Sequence, residues 1–183
     1  MNDLYPMLLR WSGHPRPLIR KISLWSMSRY TNWVLYTARK REELKNSSNN
    51  NSTTQNISNN FLELTIQCYC QRMVDHTKIV QAASCSSLGI LAEQAKTDGS
   101  GNLLLPLAQP MLQTCVQCLN SYQEKNLILV CDTLAFVIEC CKSRHDIVRS
   151  PQFLQMVMPP LIARWNLLKN AEDHQYVRLS PFF

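Results

Sequence analysis

The residue types able to do chemistry in this chain are few, and their spacing favours recognition over reaction. Asp132 and Glu139 stand seven residues apart, two turns of one helix, so both carboxylates project from one face. Ile22, Trp25 and Arg29 in PLIRKISLWSMSRY follow at helical spacing, which sets an isoleucine, an indole and a guanidinium on a common stripe. Indole and isoleucine offer apolar surface to a ligand, and carboxylates attract cations. Reaction chemistry finds no such set. Cys115 and Cys118 form a CxxC, yet no second CxxC or spaced histidine pair completes a zinc site, so core packing accounts for them better. Cys68 and Cys70, two apart on a helix, point in different directions, and Cys140 and Cys141 fall on a buried side where thiols pack as small apolar groups. A cysteine nucleophile needs a nearby histidine, and His76 and His145 both sit at predicted turns without a partner motif. The chain reads as a non-enzyme, with no catalytic residue, metal or cofactor assigned.

These side chains need elements to position them. With 45% hydrophobic and 17% charged residues among 183, the chain can bury a core in one domain or one array. Only four glycines against seven methionines leave little room for hairpin turns, which favours an all-α fold. The net charge of +6 is local: residues 1–60 hold nine Lys and Arg against three Asp and Glu, and residues 61–183 hold ten against ten. Much of the surplus is Arg39, Lys40 and Arg41 beside KNSSNNNSTTQNISNN. No aromatic interleaving accompanies it, so it reads as the edge of a solvated linker and not as a nucleic-acid patch. The Asn-rich segment cannot offset its own ordering entropy and reads as an inserted loop. The N-terminus lacks a basic region followed by an apolar run, so reduced thiols and a location in cytoplasm and nucleus are expected. The longest uncharged stretch, Gly99 to Gln123, is interrupted by Pro106 and Pro110, which argues against membrane insertion.

Between turn-rich breaks at Gly99–Gly101 and Ser143–Pro151, apolar segments come in pairs: 3–12 with 17–36, 61–73 with 77–96, 103–121 with 125–142, then 151–169. The second members align without gaps as WSMSRYTN from Trp25, SSLGILAE from Ser86 and DTLAFVIE from Asp132. The offset between the last two is 46 residues, and that between the first two is 61, which falls near 45 once the Asn-rich insert is removed. Both fit the HEAT-type helix pair of about 40–47 residues. The columns Met27, Leu88, Leu134 and Tyr30, Leu91, Val137 are apolar and form the expected core. Trp25, Ser86 and Asp132 lie round the wheel from it, with Asn32, Glu93 and Glu139 seven residues further on. In a solenoid the second helices commonly line the concave side, which makes this column a binding strip. The same tryptophan is equally compatible with packing against a neighbouring repeat.

HPRPLIRKISLWSMSRYTNWV, KIVQAASCSSLGILAEQA, SYQEKNLILVCDTLAFVIE and QFLQMVMPPLIARWNLLK resemble consecutive HEAT repeats of the transportins, beta-type karyopherins of the importin-beta family. The resemblance covers most of residues 4–36 and 61–170. It implies a nuclear import receptor whose concave face holds the proline-tyrosine nuclear localisation signal of cargo proteins, RNA-binding proteins among them. It places cargo contacts on Ile22, Trp25 and Arg29, and acidic contacts on Glu93, Asp132 and Glu139, the last where the family typically has aspartate. Nucleoporins and the small GTPase Ran are partners implied for a full-length receptor. The N-terminal arch has no counterpart here, so the Ran-binding surface is expected to be absent and the chain to be a fragment.

The expected organisation is about three helix pairs plus a terminal helix: a repeat over 1–41, a disordered insert over 42–60, repeats over 61–98 and 99–145, the first helix of a further repeat over 146–170, and a divergent tail over 171–183. Pro159 and Pro160 should bend or break the last helix, and Trp165 reads as a packing residue. A general HEAT scaffold for protein or RNA partners, without transport function, is the alternative.

Overall fold

The computed structural model describes residues 3–47, 60–141 and 150–170. Among them the elements are α1 (Leu4–Trp11), α2 (Pro17–Arg29), α3 (Thr31–Ser47), α4 (Phe61–Met73), α5 (Lys78–Thr97), a 3-10 segment (Gly101–Leu107), α6 (Ala108–Ser121), α7 (Glu124–Cys140) and α8 (Pro151–Asn170), with no strand. The pairs α1/α2, α4/α5 and α6/α7 stack so that first helices meet first helices and second meet second, and α8 packs on α6 as the first member of a further pair. The chain is an all-α solenoid of HEAT-type helix pairs.

The register between α5 and α7 is set by a ladder of side chains. Asn126 Nδ2, Thr133 Oγ1 and Cys140 Sγ donate to the carbonyls of Lys78, Cys85 and Ala92 at 3.4, 3.0 and 3.0 Å. Donors and acceptors both recur every seven residues, so the two helices run parallel in one register. The expected core columns are confirmed: Met27, Leu88, Leu91, Leu134 and Val137 are buried and Tyr30 is half-buried. Each fully buried side chain of this size contributes about 2 kcal/mol. Cys115, Cys118, Cys140 and Cys141 are all in the interior, as core packing requires. Tyr122, at the turn between α6 and α7, reaches back to donate to the Met73 carbonyl at 2.7 Å, and so caps the end of α4 in the preceding pair.

Local chemistry sets the boundaries. Pro17 opens α2, where its missing amide costs nothing. Asn60 caps α4 by accepting from the Glu63 amide, while its own amide group donates to the Glu63 carboxylate. Gly99, at φ +75, turns the chain after α5.

Several expectations change. The helix expected over 17–36 breaks at Tyr30 (φ −101, ψ 13). Ser28 and Thr31 hydroxyls donate to the Trp25 and Ser28 carbonyls and compete with the helical pattern there. Trp33 then turns inward against Tyr5 and Phe61, with ring centroids 5.3 and 5.2 Å away, and Asn32 belongs to α3 instead of sharing the Trp25 face. The helix expected over 103–121 starts as a 3-10 segment through Pro106 before becoming α-helical at Ala108. α3 runs on to Ser47, into the segment expected to be disordered from residue 42. α8 is continuous through Pro159 and Pro160, and Trp165 is exposed, not packed, because Arg164 beside it is the residue that turns inward to cap α6 through the carbonyls of Leu119 and Tyr122. Most of the Asn-rich insert, His145 and the tail 171–183 lie outside the described residues.

Candidate functional site

The outward stripe of α2 is imposed by what the helix buries. Leu24 and Met27 enter the core, Ser23 and Ser28 are buried, and Arg20 turns inward to the loop after α4. Rotation is thereby fixed. Leu18, Ile22, Trp25 and Arg29 must face solvent, and Trp25 keeps 55% of its surface exposed. The Arg29 guanidinium lies 4.8 Å from the centre of the Trp25 ring, a cation–π contact worth about 0.5–1 kcal/mol at an exposed site. It holds the indole flat against a cation and leaves the opposite ring face open.

The acidic residues form a second cluster, on the neighbouring helices. A groove of about 160 Å³ between α5 and α7 is lined by Ser86, Ile90 and Glu93 on one side and by Leu129, Asp132 and Phe136 on the other. Its floor is tight: a Cβ on Gly89 would meet the Thr133 hydroxyl at 3.0 Å. Glu93 and Asp132 are exposed at its rim, and neither has an ion-pair partner among the described residues. Glu139 differs, since it pairs with Lys96 across the same helix interface. The groove thus offers apolar walls under two unneutralised carboxylates, a form that suits a lysine or arginine side chain, whose stem packs while its head pairs.

The structure therefore exposes all six residues singled out from the sequence and sorts them into an apolar-cationic stripe (Ile22, Trp25, Arg29), a shared acidic groove (Glu93, Asp132) and one carboxylate already paired (Glu139). Leu18, Ile90 and Phe136 were missed. Leu18 was legible as the residue four before Ile22 on the same stripe. Ile90 and Phe136 were not, because they gain meaning only when α5 and α7 are laid side by side.

The basic cluster is largely neutralised: Arg39 pairs with Asp98 at 2.7 Å and Lys40 with Glu43 at 2.9 Å. The thiols are poor nucleophiles. Burial pushes Cys85 up to about 12 and Cys118 and Cys140 up to about 11. No group of three or more His, Cys, Asp or Glu among the described residues is placed to hold a metal ion, and no described helix is long and apolar enough to cross a membrane.

Fold and site together define a HEAT-type α-solenoid carrying apolar-cationic and acidic clusters on its second helices. No protein-family profile matches the chain. Individual relatives do, and they agree with one another. The chain is 29% identical over 180 residues, 98% of its length, to Transportin-1 of Homo sapiens. It is 26% identical over 174 residues to Transportin of Dictyostelium discoideum, and 25% identical over 183 residues to Importin subunit beta-2 of Schizosaccharomyces pombe. It resembles a segment of transportin from end to end and spans about 17% of the length of these relatives.

Proposed function

We propose that this chain is the cargo-binding segment of a transportin-like nuclear import receptor, and that it holds the proline-tyrosine nuclear localisation signal of cargo proteins on the face formed by α2, α5 and α7. The observation that carries the reading is Trp25, more than half exposed and backed by Arg29, on a helix adjacent to a groove with two unpaired carboxylates. Ile22 and Trp25 bury apolar and aromatic side chains of the signal. Glu93 and Asp132 take its basic residues, with Glu139 contributing after Lys96 is displaced. A disordered peptide must order itself to bind, so affinity comes from several such contacts acting together. The receptor works between cytoplasm and nucleus, and Ran and nucleoporins are partners of the larger assembly of which this chain is a part.

The test is a calorimetric titration of the folded chain with a proline-tyrosine signal peptide, in parallel with Trp25→Ala and with an Asp132→Asn, Glu139→Gln double variant. Saturable binding weakened in both variants supports the reading. No binding by a chain shown to be folded overturns it and leaves a HEAT scaffold.

A further inference from the structure

We propose that the edge of the solenoid where the three second helices begin is a second docking surface, for an acidic peptide segment that carries aliphatic side chains at regular spacing. Each second helix opens with an exposed lysine and an exposed aliphatic residue within three positions of one another: Lys21 with Leu18 on α2, Lys78 with Ile79 on α5, and Lys125 with Ile128 on α7. The aliphatic members keep 59%, 47% and 51% of their surface exposed.

The three pairs are held side by side. Arg20 on α2 donates to Asp75 and Thr77 just before α5. Lys78 Nζ on α5 donates to Gln123 Oε1 at 2.6 Å, and Asn126 returns to the Lys78 carbonyl. The Gln123 amide is neutral, so the Lys78 charge stands.

Charge decides the partner. The stretches 14–22, 72–79 and 123–128 hold six Lys and Arg against two carboxylates, Asp75 and Glu124. Asp75 is buried and engaged by Arg20 and Arg72, so it does not screen the exposed lysines. A row of exposed cations beside exposed aliphatic side chains complements carboxylates interleaved with leucine or isoleucine. Nucleic acid fits less well, because leucine and isoleucine give bases no ring to stack on.

Spacing sets the motif. Packed helices lie about 8–10 Å apart, and an extended chain advances about 3.3 Å per residue. One anchor in every three residues therefore matches one helix to the next. This surface bears charge opposite to that of the Glu93–Asp132 groove and does not depend on the cargo reading above.

The test uses the whole chain and a fluorescein-labelled synthetic peptide, Leu-Asp-Glu-Leu-Asp-Glu-Leu, followed by anisotropy, with an Asn/Gln-substituted peptide and a single-stranded oligouridylate as comparators. Binding of the acidic peptide alone is expected. A Leu18→Ser, Ile79→Ser, Ile128→Ser variant should raise its Kd at least tenfold, and a Lys21→Gln, Lys78→Gln, Lys125→Gln variant should abolish the salt dependence. Trp25→Ala with Asp132→Asn should leave it unchanged. All six substituted side chains are exposed, and circular dichroism verifies folding. The proposal is overturned if the acidic peptide does not bind the folded chain, if the neutral peptide or the oligouridylate binds as well, or if either triple variant binds like the parent.

Discussion

Arg20 Nη2 donates to Asp75 Oδ1 at 2.8 Å, and both side chains lie inside the protein. The pair joins the turn before α2 to the turn before α5. Arg20 Nη1 donates to the carbonyls of His14 and Pro15 at 2.9 and 2.8 Å, while Asp75 Oδ1 accepts the Thr77 amide at 2.9 Å. One ion pair thus closes two turns and sets the spacing of two helix pairs. Removing one partner strands the other charge in the interior. Asp75→Ala should lower the unfolding free energy by about 3–5 kcal/mol, read by urea titration. A loss under about 1 kcal/mol would mean that the pair does not hold the turns.

The same contact makes stability sensitive to acid. Burial pushes the Asp75 carboxyl up, but hydrogen bonds from Arg20 and the Thr77 amide, with the Arg20 charge, outweigh it and hold the carboxyl below its ordinary value. The unfolded carboxyl, near about 3.9, therefore takes up its proton first as pH falls. The contribution of Asp75 is complete above about pH 4 and is lost as pH drops through the lowered folded value. Thermal melts between pH 6 and 2.5 should show a steeper acid decline in the parent than in Asp75→Asn. Parallel declines would contradict this.

Gly89 is a packing device at the groove floor. Its Cβ position is 3.0 Å from Thr133 Oγ1, and that hydroxyl is committed to the Cys85 carbonyl. Gly89→Ala should cost about 1–3 kcal/mol as an overpacked site. Adding Thr133→Ala should recover part of the loss, measured as coupling in a double-mutant cycle. Additive losses would place the strain elsewhere.

The carboxylates should not contribute equally to binding of a basic peptide. Asp132 is unpaired, whereas Glu139 is held by Lys96. Asp132→Asn should weaken a basic signal peptide several-fold more than Glu139→Gln, and the Asp132 effect should shrink as salt is raised. Calorimetry at two ionic strengths reads both. Equal losses would show that Lys96 releases Glu139 at no cost.

Thiol reactivity should single out one cysteine. Cys131 is exposed, although burial of part of its side chain and then the Asp132 charge raise its thiol. Cys85, Cys115, Cys118, Cys140 and Cys141 are buried. In the native chain a chromogenic disulfide reagent should modify Cys131 well before these five, as peptide mapping would show. Early modification of a buried thiol would indicate local opening.

How much of this was legible beforehand follows from what local sequence encodes. Apolar residues recur at helical spacing because one face of each helix is buried, so the helix pairs, the core columns through Leu88 and Leu134 and the outward placement of Trp25, Asp132 and Glu93 could all be read from the chain alone. The break at Tyr30 could not. It depends on hydroxyl-to-carbonyl bonds competing with the helix and on an aromatic cluster that Phe61 completes from beyond the insert. Which carboxylates remain free was equally hidden. Glu93, Asp132 and Glu139 look alike on a helical wheel, and only the packing of α5 against α7 brings Lys96 to Glu139 while leaving the other two over an apolar groove. The inward turn of Arg20 is the sharpest case. A charged residue in an otherwise outward-reading stretch enters the interior because a carboxylate 55 positions away is buried with it. Periodicity determined which faces are apolar, since burial acts through each helix separately. Tertiary structure decided which charges are paired, because an ion pair exists only between groups that separate helices bring together.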